Sequence, residues 1–177
     1  MTHLFYVLNV IRKNPSQVDE TRKMIQAIRR INPRNSYGDT LLHLVVSKTN
    51  TMKSNTFIED PHTLIFPDAN VCKLLLECDF NVDAINNNAS TPLHVASTRS
   101  NYNPDVISHL LNYGGHIDRR NYTGNQPFKQ LASINECTIN SLQFISLKCL
   151  AARKIVECKI PYIGEVPLTL EEFINIH

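Results

Sequence analysis

The chain has 177 residues, 42% of them hydrophobic, which suits one compact domain or one short solenoid with a real core. A formal net charge of only +2 gives no bulk electrostatic case for a nucleic-acid partner. The five cysteines, at positions 72, 78, 137, 149 and 158, are odd in number and contain no Cys-x-x-Cys, so they support neither a disulfide framework nor a zinc site. They fit a reducing compartment, the cytoplasm with the nucleus left open.

Met1–Ile11 is apolar, through Leu4, Phe5, Tyr6, Val7, Leu8, Val10 and Ile11. It is too short to span a membrane and lacks the basic start and small-residue cleavage site of a signal peptide, so a buried helix is expected. A second helix is expected from about Gln17 to Ile31, with Val18, Met24, Ile25, Ile28 and Ile31 near helical spacing. The two form a helical hairpin over residues 1–36 that folds at Asn14-Pro15-Ser16. A chain that opens inside such a helix reads as the continuation of something longer. The interleaved Arg22, Lys23, Arg29, Arg30 and Arg34 read as a solvated helix face.

From Tyr37 the chain repeats itself. Gly38-Asp39-Thr40-Leu41-Leu42-His43-Leu44 aligns with Ala89-Ser90-Thr91-Pro92-Leu93-His94-Val95, and Gly124-Asn125-Gln126-Pro127-Phe128-Lys129-Gln130 is a degenerate third copy. A second unit, Val71 to Ala84, matches Val106 to Asp118, each with a paired leucine. The Thr-Pro pair has a mechanism: Thr caps a helix and Pro occupies its first turn. These units resemble the ankyrin repeat, which implies three helix pairs over residues 37–135. Leu93 to Phe128 nearly keeps the usual period of roughly 33 residues, whereas Leu42 to Leu93 greatly exceeds it. The first repeat therefore carries an insertion at about Ser47–Asp68, a long loop that could bind a partner or be a tolerated passenger.

His43 and His94 sit at the repeat position where an imidazole bonds neighbouring loop backbone, so both are expected to be structural. No nucleophile–base set, phosphate loop or metal-ligand spacing is evident, so no catalytic residue, metal or cofactor is assigned and the chain is not expected to be an enzyme.

The C-terminal stretch Ser146–Ile155 contains good helix formers and neither Gly nor Pro. Leu147, Leu150, Ala151, Ile155 and Cys158 fall on one face of that helix; Leu142, Ile145, Cys149, Ala152 and Val156 fall on the opposite face. One stripe can pack on its own domain, and the other needs a second cover, as in groove-bound helices. The spacing Ser146-Leu147-x-x-Leu150-Ala151-x-x-x-Ile155 resembles the elongin C-binding box. Val166-Pro167-x-x-Leu170-x-x-Phe173-Ile174 resembles the cullin-2 box.

Ankyrin repeats followed by both boxes resemble the C-terminal part of the feminization-1 family, ankyrin substrate receptors of cullin-2 ubiquitin ligases. Further matching residues are Asn32-Pro33-Arg34, Phe66-Pro67 and Leu170-Glu171-Glu172-Phe173-Ile174. The resemblance implies an all-α ankyrin solenoid with a leading hairpin and a box segment over 138–177. It implies a non-catalytic receptor that docks through Leu147, Leu150, Ala151 and Ile155 on elongin C, itself paired with elongin B. Val166, Pro167, Leu170, Phe173 and Ile174 would contact cullin-2, with protein substrates as further partners and neither nucleic acid nor membrane. Family members read C-terminal degrons mainly with N-terminal repeats that this sequence does not contain. Two rivals are an ankyrin SOCS-box receptor using cullin-5, disfavoured because Gly164-Glu165 stands where that family prefers Leu-Pro, and a plain ankyrin scaffold that recruits no ligase.

Overall fold

The computed structural model describes residues 18–48, 67–135 and 137–176. The expected first helix, the Asn14-Pro15-Ser16 bend and most of the insertion lie outside the described residues. Helix α1 runs from Val18 to Ile31. Ile25 is its buried anchor, with Ile28 packed beside it, whereas Ile31 at the end of the expected stripe is exposed. The Arg29 Nε–H donates to the Asp79 carbonyl at 2.9 Å, tying α1 to the next unit.

Each repeat start is built the same way. Helix α2 (Leu41–Val45) begins after Thr40 and helix α4 (Pro92–Ala96) after Thr91. The expected capping appears with a further partner. His43 Nδ1 accepts from the Thr40 backbone N–H at 3.2 Å, and His94 Nδ1 accepts from that of Thr91 at 3.1 Å. The opposite ring nitrogens reach the next repeat. His43 Nε2 donates to the Ser90 carbonyl at 2.9 Å, and His94 Nε2 to the Asn125 carbonyl at 3.2 Å. Each imidazole thus closes its own helix and staples it to the following turn, a structural role that uses both nitrogens in the neutral ring.

Second helices α3 (Ala69–Glu77) and α5 (Pro104–Asn112) are capped by Asp68 and Asn103, whose side chains accept two backbone N–H groups each. Helix α6 (Pro127–Ala132) opens the third repeat. Helices α2, α4 and α6 pack in one row; α3 and α5 pack in a second row against α2 and α4. Leu42, Leu75, Leu93, Ile107, Leu110, Ile117 and Leu131 form the core between the rows, all fully buried. The described residues contain no strand. The chain is therefore an all-α ankyrin solenoid.

A triplicated asparagine organises the turns. Asn35 Oδ1 accepts from the N–H groups of Tyr37 and Asp39, Asn86 Oδ1 from those of Asn88 and Ser90, and Asn121 Oδ1 from those of Thr123 and Asn125. Such side chains replace backbone partners in tight turns. Successive turns are then linked, Asn87 N–H to the Tyr37 carbonyl at 3.0 Å and Tyr122 N–H to the Asn88 carbonyl at 3.1 Å. Gly38, at φ +76°, lies so close that a Cβ there would meet Asn87 Oδ1 at 2.3 Å.

The third repeat departs from the expected helix pair. Gln126 places no side-chain cap on α6; its amide instead donates to the Asp118 carbonyl at 2.7 Å. Between α6 and residue 147 the described residues hold only a 3-10 turn, Ser141–Phe144. No paired-leucine unit follows Lys129. Ile134, Cys137, Ile139, Phe144 and Ile145 cover the end of the core in place of a second helix.

Burial holds the pKa values of His43 and His94 below the ordinary value of 6.5, against opposing hydrogen bonds and carboxylates. The unfolded chain therefore binds more protons near and below that value, and folded stability falls as pH drops through it. Thermal unfolding should show a declining midpoint between pH 7 and pH 5. A chain carrying His43→Gln and His94→Gln, less stable throughout, should lose much of that slope.

Candidate docking surface on the C-terminal helix pair

Helix α7 spans Leu147–Glu157 and is capped by Ser146, whose Oγ accepts from the Cys149 N–H at 3.1 Å. Ser146 is thus a cap rather than a helical residue, for the reason that favours Ser at such positions. Cys149 and Ala152 are buried on the inner side. Leu147 is 84% exposed and Leu150 41% exposed, Ala151 is exposed, and Ile155 is half-buried. The structure therefore brings Leu147, Leu150 and Ala151 together on an open face with Ile155 at its margin. On the opposite stripe Ile145, Cys149 and Ala152 turn inward and Val156 is exposed, while the expected Leu142 side chain lies outside the described residues.

Helix α8 (Leu168–Ile176) packs against α7. Pro167 precedes it, and its carbonyl accepts from the Leu170 and Glu171 N–H groups at 2.8 and 3.1 Å. The missing proline N–H costs nothing there. The five residues of the second motif do not share one surface. Pro167 and Leu170 are exposed and Val166 is half-buried; Phe173 is half-buried within the chain and Ile174 is 5% exposed. Phe173 lies 4.1 Å beneath the Lys148 ammonium, an intrachain cation–π contact. The Glu171 Oε1 accepts from the Gly164 N–H at 2.6 Å. With the Tyr162 hydroxyl donating to Asn175 at 2.6 Å, it ties the α7–α8 connection to α8. Ile160, Ile163 and Leu168 are further exposed aliphatic residues in and after the α7–α8 connection, which the motif spacing does not include. Leu168, directly after Pro167 at the start of α8, was the readable signal.

The open face of this constellation is aliphatic. Among the described residues no group of His, Cys, Asp and Glu could hold a metal ion, and no helix is long and apolar enough to cross a membrane. What it offers is an open aliphatic ridge on a helix whose other side is already packed, a geometry that suits a partner groove.

An ankyrin-repeat family model matches residues 88–122, the segment from the Asn86 turn through α4 and α5 to the next turn. Over 99% of its length the chain is similar to fem-1 proteins: 32% identical to fem-1 homolog A of Rattus norvegicus, 31% to that of Homo sapiens, and 32% to fem-1 homolog C of Xenopus laevis. The chain is a fem-1 homologue. It spans only about a quarter of the length of these curated relatives, 26%, 25% and 28% respectively. Because the similarity covers nearly all of the chain, it extends through α7 and α8 as well as the repeats.

The cysteines divide by the same geometry. Burial, reinforced by Asp68, pushes the Cys72 thiol up to about 12, and Cys78 and Cys149 are also buried, whereas Cys158 is exposed at the end of α7. Alkylation of the native chain with iodoacetamide near pH 8, followed by peptide mass analysis, should modify Cys158 first. Cys72 should react only after unfolding, because the thiolate is the reactive form.

Proposed function

We propose that this chain is the ligase-docking portion of an ankyrin substrate receptor, held through α7 on elongin C with elongin B and through the Pro167–Leu170 surface on cullin-2. It thereby promotes ubiquitination of protein targets without catalytic groups of its own. The observation that carries this reading is the exposure of Leu147, Leu150 and Ala151 at the spacing of an elongin C-binding box, on a helix whose opposite side is already buried. The fem-1 relationship supports it. Full burial of Leu147, Leu150 and Ile155 would contribute roughly 5–9 kcal/mol gross, less the cost of association.

The buried side chain of Ile174 and the inward packing of Phe173 reshape the cullin surface. Pro167 and Leu170 are the residues open to cullin-2, with Leu168 beside them, while Ile174 anchors α8 from within. The family reads C-terminal degrons mainly with repeats beyond this segment, so the role proposed for these 177 residues is docking on the ligase rather than reading the substrate. The test is direct binding of the purified chain to elongin B/C, then to cullin-2 and cullin-5 in parallel. Binding to elongin B/C and preference for cullin-2 are expected. Preference for cullin-5 would favour the SOCS-box reading, and no elongin binding would leave a plain ankyrin scaffold.

A further inference from the structure

The solenoid and α8 meet at one polar–aromatic junction. His116 follows α5 in the turn leading to the third repeat. Its backbone N–H donates to Asp83 Oδ1 at 3.1 Å, and its Nδ1 hydrogen-bonds Asp83 Oδ2. Asp83 belongs to the preceding repeat, where Asn81 Oδ1 accepts the Asp83 N–H at 2.9 Å. The His116 ring also lies 5.9 Å from the Phe173 ring, edge to face at 64°. Phe173 thus has two basic neighbours, the Lys148 ammonium of α7 over its ring and the His116 ring of the solenoid 5.9 Å away. Asp83 holds His116 by one contact to its backbone N–H and one to its ring, and that ring in turn bounds the site of Phe173.

We propose that His116, clamped by Asp83, and Phe173 of α8 form a proton-dependent latch that holds the C-terminal helix pair against the ankyrin solenoid. The protonated imidazole makes an ion pair with Asp83 and a cation–π contact with Phe173, which lies within the range of such contacts. Loss of the proton removes the positive charge from both contacts and leaves at most a neutral N–H hydrogen bond to Asp83. The charged groups around the ring are Asp83 from the preceding repeat and Asp118 and Arg119 from its own turn; α8 presents the uncharged Phe173 ring, whose other charged neighbour is Lys148 of α7. Arg119 also donates to the Asp83 carbonyl at 3.3 Å.

The hydrogen bond that His116 donates to Asp83 is the main influence raising its pKa above the ordinary 6.5, outweighing burial and Arg119. A raised folded value places the latch's contribution fully below 6.5 and removes it as pH rises through the folded value. The dependence is opposite in sign to that of His43 and His94 and lies in a higher pH window. The latch is independent of elongin or cullin docking.

Tryptophan is absent from the sequence, so Phe173→Trp in the full chain gives a single indole reporter at the junction. Acrylamide quenching of its fluorescence should increase about twofold or more between pH 6 and pH 8.5 as the ring is released. With His116→Gln added, quenching should be high at both pH values, and with Asp83→Asn added the midpoint should move to lower pH. Quenching that is flat with pH, or that follows the same transition without His116, would overturn the latch. Proton NMR of the unaltered chain guards against poor accommodation of the indole. The His116 imidazole signals should titrate with a midpoint above 6.5, and the Phe173 ring signals should shift along the same curve. Phe173 signals that ignore the His116 titration would also overturn it.

Discussion

Leu110→Ala is expected to lower the unfolding free energy by about 2–5 kcal/mol, the range for emptying a leucine site in a packed core. Leu110 is fully buried in α5, between the helices of both rows. Its carbonyl also accepts the Gly115 N–H at 2.9 Å, so the backbone behind it is pinned and cannot move inward to fill the space. A Cβ on Gly115 would meet that same carbonyl at 2.8 Å, a sign of how closely the turn is packed. In a stacked-repeat fold each unit is stabilised mainly by its neighbours, and α5 belongs to the middle repeat. Damage there weakens both interfaces at once. Urea unfolding followed by circular dichroism should give a much lower midpoint for Leu110→Ala. Ile107→Val on the same helix should cost only about 0.5–1.5 kcal/mol, and Tyr113→Ala, at an exposed position, under about 0.5 kcal/mol. Equal effects at the three positions would contradict the two-row core.

The repeat starts were legible because the chemistry of each is local. Thr40 and Thr91 cap, Pro92 and Pro127 enter a first turn, and His43 and His94 need partners only a few residues or one repeat away. The Asn35, Asn86 and Asn121 turns follow the same spacing and were missed, because asparagine suits many loops and its meaning lies in two backbone bonds seen only once folded. The end of the third repeat was misjudged for a different reason. A degenerate copy still starts a helix at Pro127, but nothing local says whether a paired helix or an irregular cover follows. Helical spacing identified the faces of α7, yet it could not say how far the solenoid's cover reaches, so Val156 was assigned to a packed side it does not join. In α8, Leu168, Leu170, Phe173 and Ile174 are all apolar. In the folded chain Phe173 turns toward His116 and Lys148 while Leu170 stays open, a choice that the spacing alone does not encode.

Leu147→Ala combined with Leu150→Ala is expected to weaken elongin B/C binding by a factor on the order of 100 or more. Truncating one central apolar anchor often costs about 2 kcal/mol, and each 1.4 kcal/mol is a tenfold change in affinity. The two leucines lie one helical turn apart on the same face, so their effects need not add, and the double variant is the decisive form. Folding should be nearly untouched, because Leu147 is 84% exposed and Leu150 41% exposed while the inward Cys149 and Ala152 remain. Exposed substitutions of this kind fall within about 0.5 kcal/mol of neutral. Alanine also preserves helix propensity at both positions. Calorimetric titration of elongin B/C, with urea unfolding of the same preparations, separates lost contact from lost fold. A parallel variant, Pro167→Ala with Leu170→Ala, should keep elongin affinity and lose cullin-2, since it alters the exposed start of α8 and leaves Phe173 and Ile174 in place. Unchanged elongin affinity in the Leu147/Leu150 variant would remove α7 from the docking surface. A large drop in its urea midpoint would instead make those leucines part of the packed core, contrary to their exposure.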